Sequence, residues 1–456
     1  MPNLTQLRLA AREIFAETLG AVNAGDAVRG AVRLDELQLN VGDTTIDIGS
    51  RRIYSIAIGK AAFTMAHALE QVLGDSLTAG FISGPVLSQS LLGLSAMHEW
   101  TLSTRWRWCE GGHPLPNQSS LLAATEAFEL LQRANEERAL VIFLISGGGS
   151  AMIEWPVYED ITLADLQTAN RALVSCGASI SEINAVRRTF SAVKGGRLAA
   201  RAPDCDQITL IVSDVPKGEE PNVASGPTLV PPDDAPTALE VIDRYDLHTQ
   251  IPESILRVIE GNPGPPECNS TALRKHFVLL DNQSALAAAA EAAIRRGFTT
   301  EIADDISDQK IEEGCRQLLS RLNTLRDLAK TEEPGGINAV CLISGGEFAC
   351  PVKGEGLGGR NLETALRLAR DQTLSGSAHF IALCAGTDGI DGNSPAAGAI
   401  VDYTTRERAG AIGLDPSDFI DRSDAYSFFV ALGDAIATGA TGTNVRDVRI
   451  LLASLE

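Results

Sequence analysis

The string Leu-Ile-Ser-Gly-Gly occurs twice in this chain, beginning at Leu144 and again at Leu342. Each copy closes a short apolar run, Leu140 to Ile145 in the first and Val340 to Ile343 in the second. A strand buried on both faces of a parallel sheet reads as such a run, and a small-residue loop just after it is where open α/β sheets build their ligand sites. Two copies, about 200 residues apart, therefore predict two sheets presenting similar loops to one cleft. Glycine-rich loops of this kind suit an anionic ligand, because backbone N–H groups can approach its oxygens closely.

The rest of the chain repeats the theme. Strands are predicted at Ile53–Ile58, Ala79–Ile82, Leu140–Ile145 and Ile208–Val212, each followed by a Gly, Ser or Asp loop and then a longer helical segment. That alternation is the mark of a doubly wound, Rossmann-like parallel sheet. A Pro/Gly-rich tract over 231–270 interrupts it, and the composition there reads as linker. A second set of strands follows at Phe277–Leu280, Ala339–Ile343, Phe380–Cys384 and Ala399–Val401. The expectation is an N-terminal α/β domain over 1–255 and a C-terminal one over 256–456. The last strand, Val448 to Leu452, could return to the first domain.

Composition narrows the chemistry. A formal charge of −21 argues against nucleic acid or an anionic membrane as partner, since both need basic surfaces. An acidic chain that binds an anion must concentrate its cations, so each Lys or Arg inside a Gly-rich motif carries weight. The eight cysteines are scattered without metal-ligand spacing, which fits a reducing, cytoplasmic setting. The first residues alternate Leu7, Ala11, Ile14 and Phe15 with Arg8, Arg12, Glu13 and Glu17, an amphipathic surface helix and not a secretory signal. No apolar stretch reaches membrane-spanning length.

Several stretches bear on the chemistry. Ser146-Gly-Gly-Gly-Ser150 follows a strand and reads as an oxyanion cradle. Asn184 to Leu198 collects Arg187, Arg188, Lys194 and Arg197; if helical, Arg187, Ser191 and Lys194 share one face, suited to a carboxylate or phosphate. Asp214, Asp388 and Asp391 follow strands beside Gly turns, where a carboxylate either joins phosphate oxygens in holding Mg²⁺ or shapes an Asx turn. Gly354, Gly356 and Gly359 match the dinucleotide fingerprint in form only. Pro351 and Lys353 interrupt the preceding strand and no ribose-binding acid follows, so the run reads as a loop delivering Arg360 to an anion. His113, between glycines and prolines, reads as a packed imidazole in a fixed loop.

Taken together these segments resemble the class II glycerate kinases, whose C-terminal half is the MOFRL domain. The matching stretches are Ile58-Gly-Lys-Ala-Ala62, Gly111-Gly-His-Pro114, Leu144 to Ala151, Asn184 to Leu198, Ser213-Asp-Val-Pro216 with Ala224 to Thr228, Ser344-Gly-Gly-Glu347, Gly358-Gly-Arg-Asn361, Ala385 to Gly392, Ala396 to Gly398 and Thr441-Gly-Thr-Asn444. They run in order along nearly the whole chain. The resemblance implies ATP- and Mg²⁺-dependent phosphorylation of D-glycerate to 2-phosphoglycerate by two α/β domains around a cleft, in a monomer or homodimer. It implies catalytic roles for Lys60 and Arg360. Substrate would be held by Ser146, Gly147, Gly148, Arg187, Arg188 and Lys194. ATP would be held by Gly149, Ser150, Gly345, Gly346, Glu347, Thr387, Gly389, Thr443 and Asn444, and metal by Asp214 and Asp388.

The chain departs from the family pattern at Leu362, Pro395, Ala440, Arg446, Asn117 and Lys217. Leu362 and Pro395 neighbour the expected site and bear on substrate choice more than on reaction class. Hydroxypyruvate reduction, or phosphorylation of a related sugar acid, is the alternative activity.

Overall fold

A computed structural model describes residues 3–85, 102–261, 264, 271–331, 338–371 and 380–455. Cys268 and most of the Gly/Pro tract from 262 to 267 lie outside the described residues. The chain forms two compact units, one of residues 24–279 and one that joins residues 1–23 to 280–456.

The first unit opens with a small antiparallel meander, β1 (Val32–Asp35), β2 (Gln38–Val41) and β3 (Thr44–Asp47). Its main sheet contains β4 (Ile53–Ile58), β5 (Leu77–Ser83), β6 (Trp106–Cys109), β7 (Leu140–Ser146), β8 (Asp206–Val212) and β9 (Arg274–Leu280). The order is β6-β5-β4-β7-β8-β9, and the pairings from β6 through β8 are all parallel. Every residue of β4 and β7 is buried, as their largely apolar sequences require, and the one polar residue inside β4, Ser55, donates to the Ile142 carbonyl at 2.9 Å. After β4 the chain moves outward to β5, whereas β7 lies on the other side of β4. The loops after β4 and β7 therefore flank the point where strand order reverses, the place where doubly wound sheets bind ligands.

The second unit is a mixed sheet of β10 (Thr299–Ile302), β11 (Ala339–Ser344), β12 (Phe380–Gly386), β13 (Gly398–Asp402), β14 (Ala435–Ile436) and β15 (Asp447–Ser454), ordered β10-β11-β15-β12-β13-β14. β15 does not return to the first unit. It runs antiparallel between β11 and β12, with all eight residues buried. Its first residues consequently lie beside the last residues of its neighbours, Arg449 opposite Ser344 and Asp447 opposite Gly386.

Two boundaries differ from the sequence expectation. β9, read as the first strand of the second domain, adds to the edge of the first sheet, which carries that unit on to residue 279. The N-terminal helix (Leu4–Ala21) belongs to the second unit. Its buried face of Leu7, Ala11, Ile14 and Phe15 packs along the helix Asn282–Arg295, and Arg295 and Arg296 pair with Glu17 and Glu13 at 2.6 and 3.2 Å.

Candidate active site

In the first unit, Gly59 and Lys60 follow β4 and lead into the helix Ala62–Leu73. The Lys60 amide donates to the Gly147 carbonyl at 2.9 Å, and the Ala61 amide donates to Ser146 Oγ at 3.0 Å. The two loops at the switch point are thus tied by one backbone carbonyl and one serine hydroxyl. Gly59, at φ +111°, sits so close to Ser146 that a Cβ would lie 2.3 Å from its carbonyl oxygen, so only glycine fits. Gly148, at φ +79°, lies against the Lys60 stem: a Cβ there would come within 3.0 Å of Lys60 Cγ. The lysine is half-buried and its stem runs over the first Leu-Ile-Ser-Gly-Gly loop. Ser146, expected to contact substrate, is fully buried and acts as a tether for Ala61.

The basic stretch differs from expectation. The helix Ile180–Phe190 stops before Ser191, so Arg187 and Lys194 do not share a helical face. Lys194 is an interior cation. It pairs with Glu154, both side chains are 1% exposed, and burial lowers the lysine pKa against the pull of Glu154. A carboxylate already holds its ammonium, so Lys194 is not a substrate ligand. Arg188 is also structural: Nη2 donates to the Pro221 carbonyl at 2.7 Å and to Asn222 Oδ1 at 2.8 Å. Burial brings its pKa down to about 10. Arg187 is different. It is 7% exposed, with burial bringing its pKa down to about 10, and Nε donates to Asn170 Oδ1 at 2.8 Å. Among the described residues its terminal nitrogens make no hydrogen bond or ion pair.

Asp214 follows β8 and is half-buried. The 3₁₀ segment Glu220–Ser225 then turns through Ala224 (φ +50°) and Ser225 (φ +63°), a left-handed pair rare outside glycine, and brings Ser225 Oγ to 2.8 Å from Ser150 Oγ. His113 is exposed; the packed imidazole read from the sequence is not what the fold makes of it.

In the second unit the repeat has a different surrounding. Buried Arg449 from β15 donates to the Ser344 hydroxyl at 3.1 Å, to the Gly345 carbonyl, and to the Gly346 carbonyl at 3.4 Å, while stacking 3.5 Å above Phe348. The Gly346 amide donates to Asn282 Oδ1 at 2.8 Å. The Glu347 amide likewise donates to Asp308 Oδ1 at 3.2 Å, so these two amides are engaged within the unit and this copy is a braced turn, not a second version of the first. Glu347, at its end, pairs with Arg360 at 2.7 Å.

Arg360 begins the helix Arg360–Asp371. Its Nε and Nη2 donate to the two oxygens of Asp447 at 2.6 and 3.2 Å, and that carboxylate is 1% exposed. Burial works to lower the Arg360 pKa, but Asp447, Glu347 and Asp391 outweigh it and hold the guanidinium well above its ordinary value. Asn361 Nδ2 reaches Asp447 at 2.9 Å and Asp391 at 3.2 Å. Asp391 also accepts from the Asn361 and Leu362 amides at 3.1 and 2.8 Å, capping the helix. Burial pushes Asp391 up to about 7, against the opposing pull of those amides and of Arg360. The Gly354–Gly359 run packs on the turn at Arg422 and Asp424 and has no strand before it, so it is a loop that delivers Arg360.

Asp388 is half-buried, and its Oδ1 accepts from the Ile390 amide at 3.1 Å, an Asx turn. Thr387 is fully buried, its hydroxyl spanning the Arg446 carbonyl (2.7 Å) and the Val445 amide (2.9 Å), which makes it a brace between loops. Gly389 is set by close approach to Gly439, whose carbonyl a Cβ would meet at 1.9 Å. Thr443 Oγ1 and Asn361 Oδ1 are buried with no hydrogen-bond partner among the described residues. Asn444 is buried beside Thr443. Leu362 is buried in the core and Pro395 is exposed, so neither departure from the pattern disturbs these contacts.

Sequence reasoning missed Asp447, Arg449 and Asn282 as site-builders. Their pairing with Arg360, Gly345 and Gly346 spans 64 to 104 residues of chain and depends on β15 entering antiparallel, which no local pattern announces.

Residues 10–260 match a family described as a domain of unknown function, DUF4147, and residues 340–447 match the MOFRL family. The chain is 34% identical to a D-glycerate 2-kinase of Thermotoga maritima over 418 residues, 90% of this chain and 93% of that protein. It is also 34% identical to a putative hydroxypyruvate reductase of Agrobacterium vitis, over 88% of this chain and 87% of that one. A Thermotoga maritima crystal structure described as glycerate kinase (EC 2.7.1.31) aligns with a TM-score of 0.76 at 32% identity, covering 98% and 99% of the two chains.

Proposed function

The chain belongs to the class II glycerate kinase family, and from that premise we propose that it transfers the γ-phosphoryl group of ATP to D-glycerate, with Mg²⁺, giving 2-phosphoglycerate. The observation that carries this reading is Lys60, placed at the strand-order reversal with its stem along Gly148. Phosphoryl transfer needs positioning and charge stabilisation more than covalent chemistry, and a lysine on a glycine loop supplies both.

Lys60 takes the role of a cation on the transferring phosphoryl oxygens, with the Gly147–Ser150 turn holding oxygens through backbone amides. Arg187 takes the substrate carboxylate, since its guanidinium is oriented by Asn170 and bound to no acid among the described residues. Arg360 takes phosphate oxygens, held in direction by Asp447 and shedding its half-buried partner, Glu347, when an anion arrives. Thr443 and Asn444, with the Thr387 turn behind them, offer polar groups to the nucleotide.

Among the described residues no three His, Cys, Asp or Glu side chains cluster as a metal cage. That fits Mg²⁺, which is held by one or two carboxylates plus phosphate oxygens and keeps several waters. Asp214 and Asp388 are the residues assigned to it, and the ion would neutralise phosphate charge.

The name of the Agrobacterium vitis relative favours a second reading, reduction of hydroxypyruvate. Purified protein given ATP, Mg²⁺ and D-glycerate is expected to form phosphoglycerate. Oxidation of NADH with hydroxypyruvate, without phosphorylation of glycerate, would replace the kinase reading.

A further inference from the structure

Beneath the first loop lies a chain of polar groups whose protons can be assigned in order. Asn184 is fully buried, and its Nδ2 lies 3.2 Å from the Asn222 carbonyl, which can only accept, so Nδ2 must donate there. The other end of that amide, Oδ1, is then an acceptor and faces Ser225 Oγ at 2.7 Å. Ser225 must donate to it, spending its one proton. The 2.8 Å contact between Ser225 Oγ and Ser150 Oγ still needs a proton between the oxygens, and only Ser150 can supply it. The neighbouring amide agrees: Asn222 Oδ1 accepts from Arg188, which can only donate, and Asn222 Nδ2 donates to Glu219 at 3.2 Å.

Ser150 is half-buried and reaches the loop surface. With its proton committed inward, it offers lone pairs only. A phosphate or carboxylate oxygen would find no donor in this hydroxyl, whereas a ligand hydroxyl would find an acceptor. Arg187, with terminal nitrogens unengaged among the described residues, follows Asn184 by three positions on one helix, so the two share a face. A carboxylate seat on the helix face of Asn184, and a hydroxyl acceptor at the end of the relay that Asn184 begins, match a small hydroxy acid.

We propose that Ser150 accepts a hydrogen bond from the glycerate hydroxyl that is not phosphorylated, and so selects acids carrying that hydroxyl. This moves Ser150 from nucleotide binding to substrate recognition, and it rests on the glycerate reading above. The left-handed turn at Ala224 and Ser225 has its purpose here, in holding the proton acceptor under Ser150.

The test compares kcat/KM for D-glycerate with that for its 3-deoxy analogue, D-lactate, in wild type, Ser150→Ala and Ser225→Ala. Wild type is expected to favour glycerate, and Ser150→Ala to shrink that ratio about three- to tenfold, the worth of a neutral hydrogen bond. Ser225→Ala leaves Ser150 in place but frees its proton, and is expected to shrink the ratio as well. Equal loss on both acids would overturn the proposal and make Ser150 a structural or phosphate-facing group. An unchanged acid ratio, with discrimination between ATP and 2′-deoxy-ATP lost, would overturn it in favour of the nucleotide. A wild type without turnover of glycerate would refute the function itself, a result separate from either of these.

Discussion

Lys60 and Lys194 look alike in the sequence, each beside glycines in a chain short of cations, yet the fold gives them opposite duties. Lys194 neutralises Glu154 in the interior. Lys194→Met would leave that carboxylate buried and unpaired, at a cost of about 3–5 kcal/mol. Thermal unfolding should therefore drop sharply in Lys194→Met and little in Lys60→Met; equal stability in the two would refute the assignment. Asp391 supplies a pH signature. Its folded pKa is about 7 against an ordinary 3.8, so the folded chain holds this proton more tightly than the unfolded one. Its contribution to stability is fully present below about pH 4 and lost as pH rises through 7. Melting curves between pH 5 and 8 should show a falling component that is missing in Asp391→Asn. A component of the same slope in the variant would place the titration elsewhere.

At the scale of elements, the helices and strands that can be read locally were readable. β4, β7, β11 and β12 are largely apolar runs, and the order of the loops after them placed Lys60 and the first glycine turn correctly at the ends of strands. What local pattern could not convey is pairing at a distance. β15 is buried along its whole length although it carries Asp447 and Arg449, and nothing in its residues says that it runs antiparallel between β11 and β12 and brings Asp447 to Arg360. The helix Ile180–Phe190 shows the opposite error. Helical spacing was extended through Lys194, but the chain turns extended at Ser191, which bridges to Pro156. The N-terminal helix is amphipathic by sequence, while the element that receives its apolar face, Asn282–Arg295, lies far along the chain. Removing residues 1–21 should expose that apolar surface and lower the melting temperature of the residue 280–456 unit by several degrees. Calorimetry showing no change would mean the helix contributes nothing to that unit.

At the scale of the whole molecule, both units are α/β sheets whose strand ends carry short glycine loops, and the repeated string marks one such loop in each. The copies have diverged in duty. The first lies under a lysine and over the Ser150–Ser225 relay; the second is braced by Arg449 and Asn282 and sets Glu347 beside Arg360. Lys60 and Arg360, one beside each copy, are the cations proposed to meet phosphate oxygens. The most direct test is ³¹P NMR of the product formed from ATP, Mg²⁺ and D-glycerate by wild type and by Lys60→Met. Wild type is expected to give 2-phosphoglycerate, and a folded Lys60→Met protein to lose about a hundredfold or more in rate. Product phosphorylated at another position, or full turnover by Lys60→Met, would contradict it.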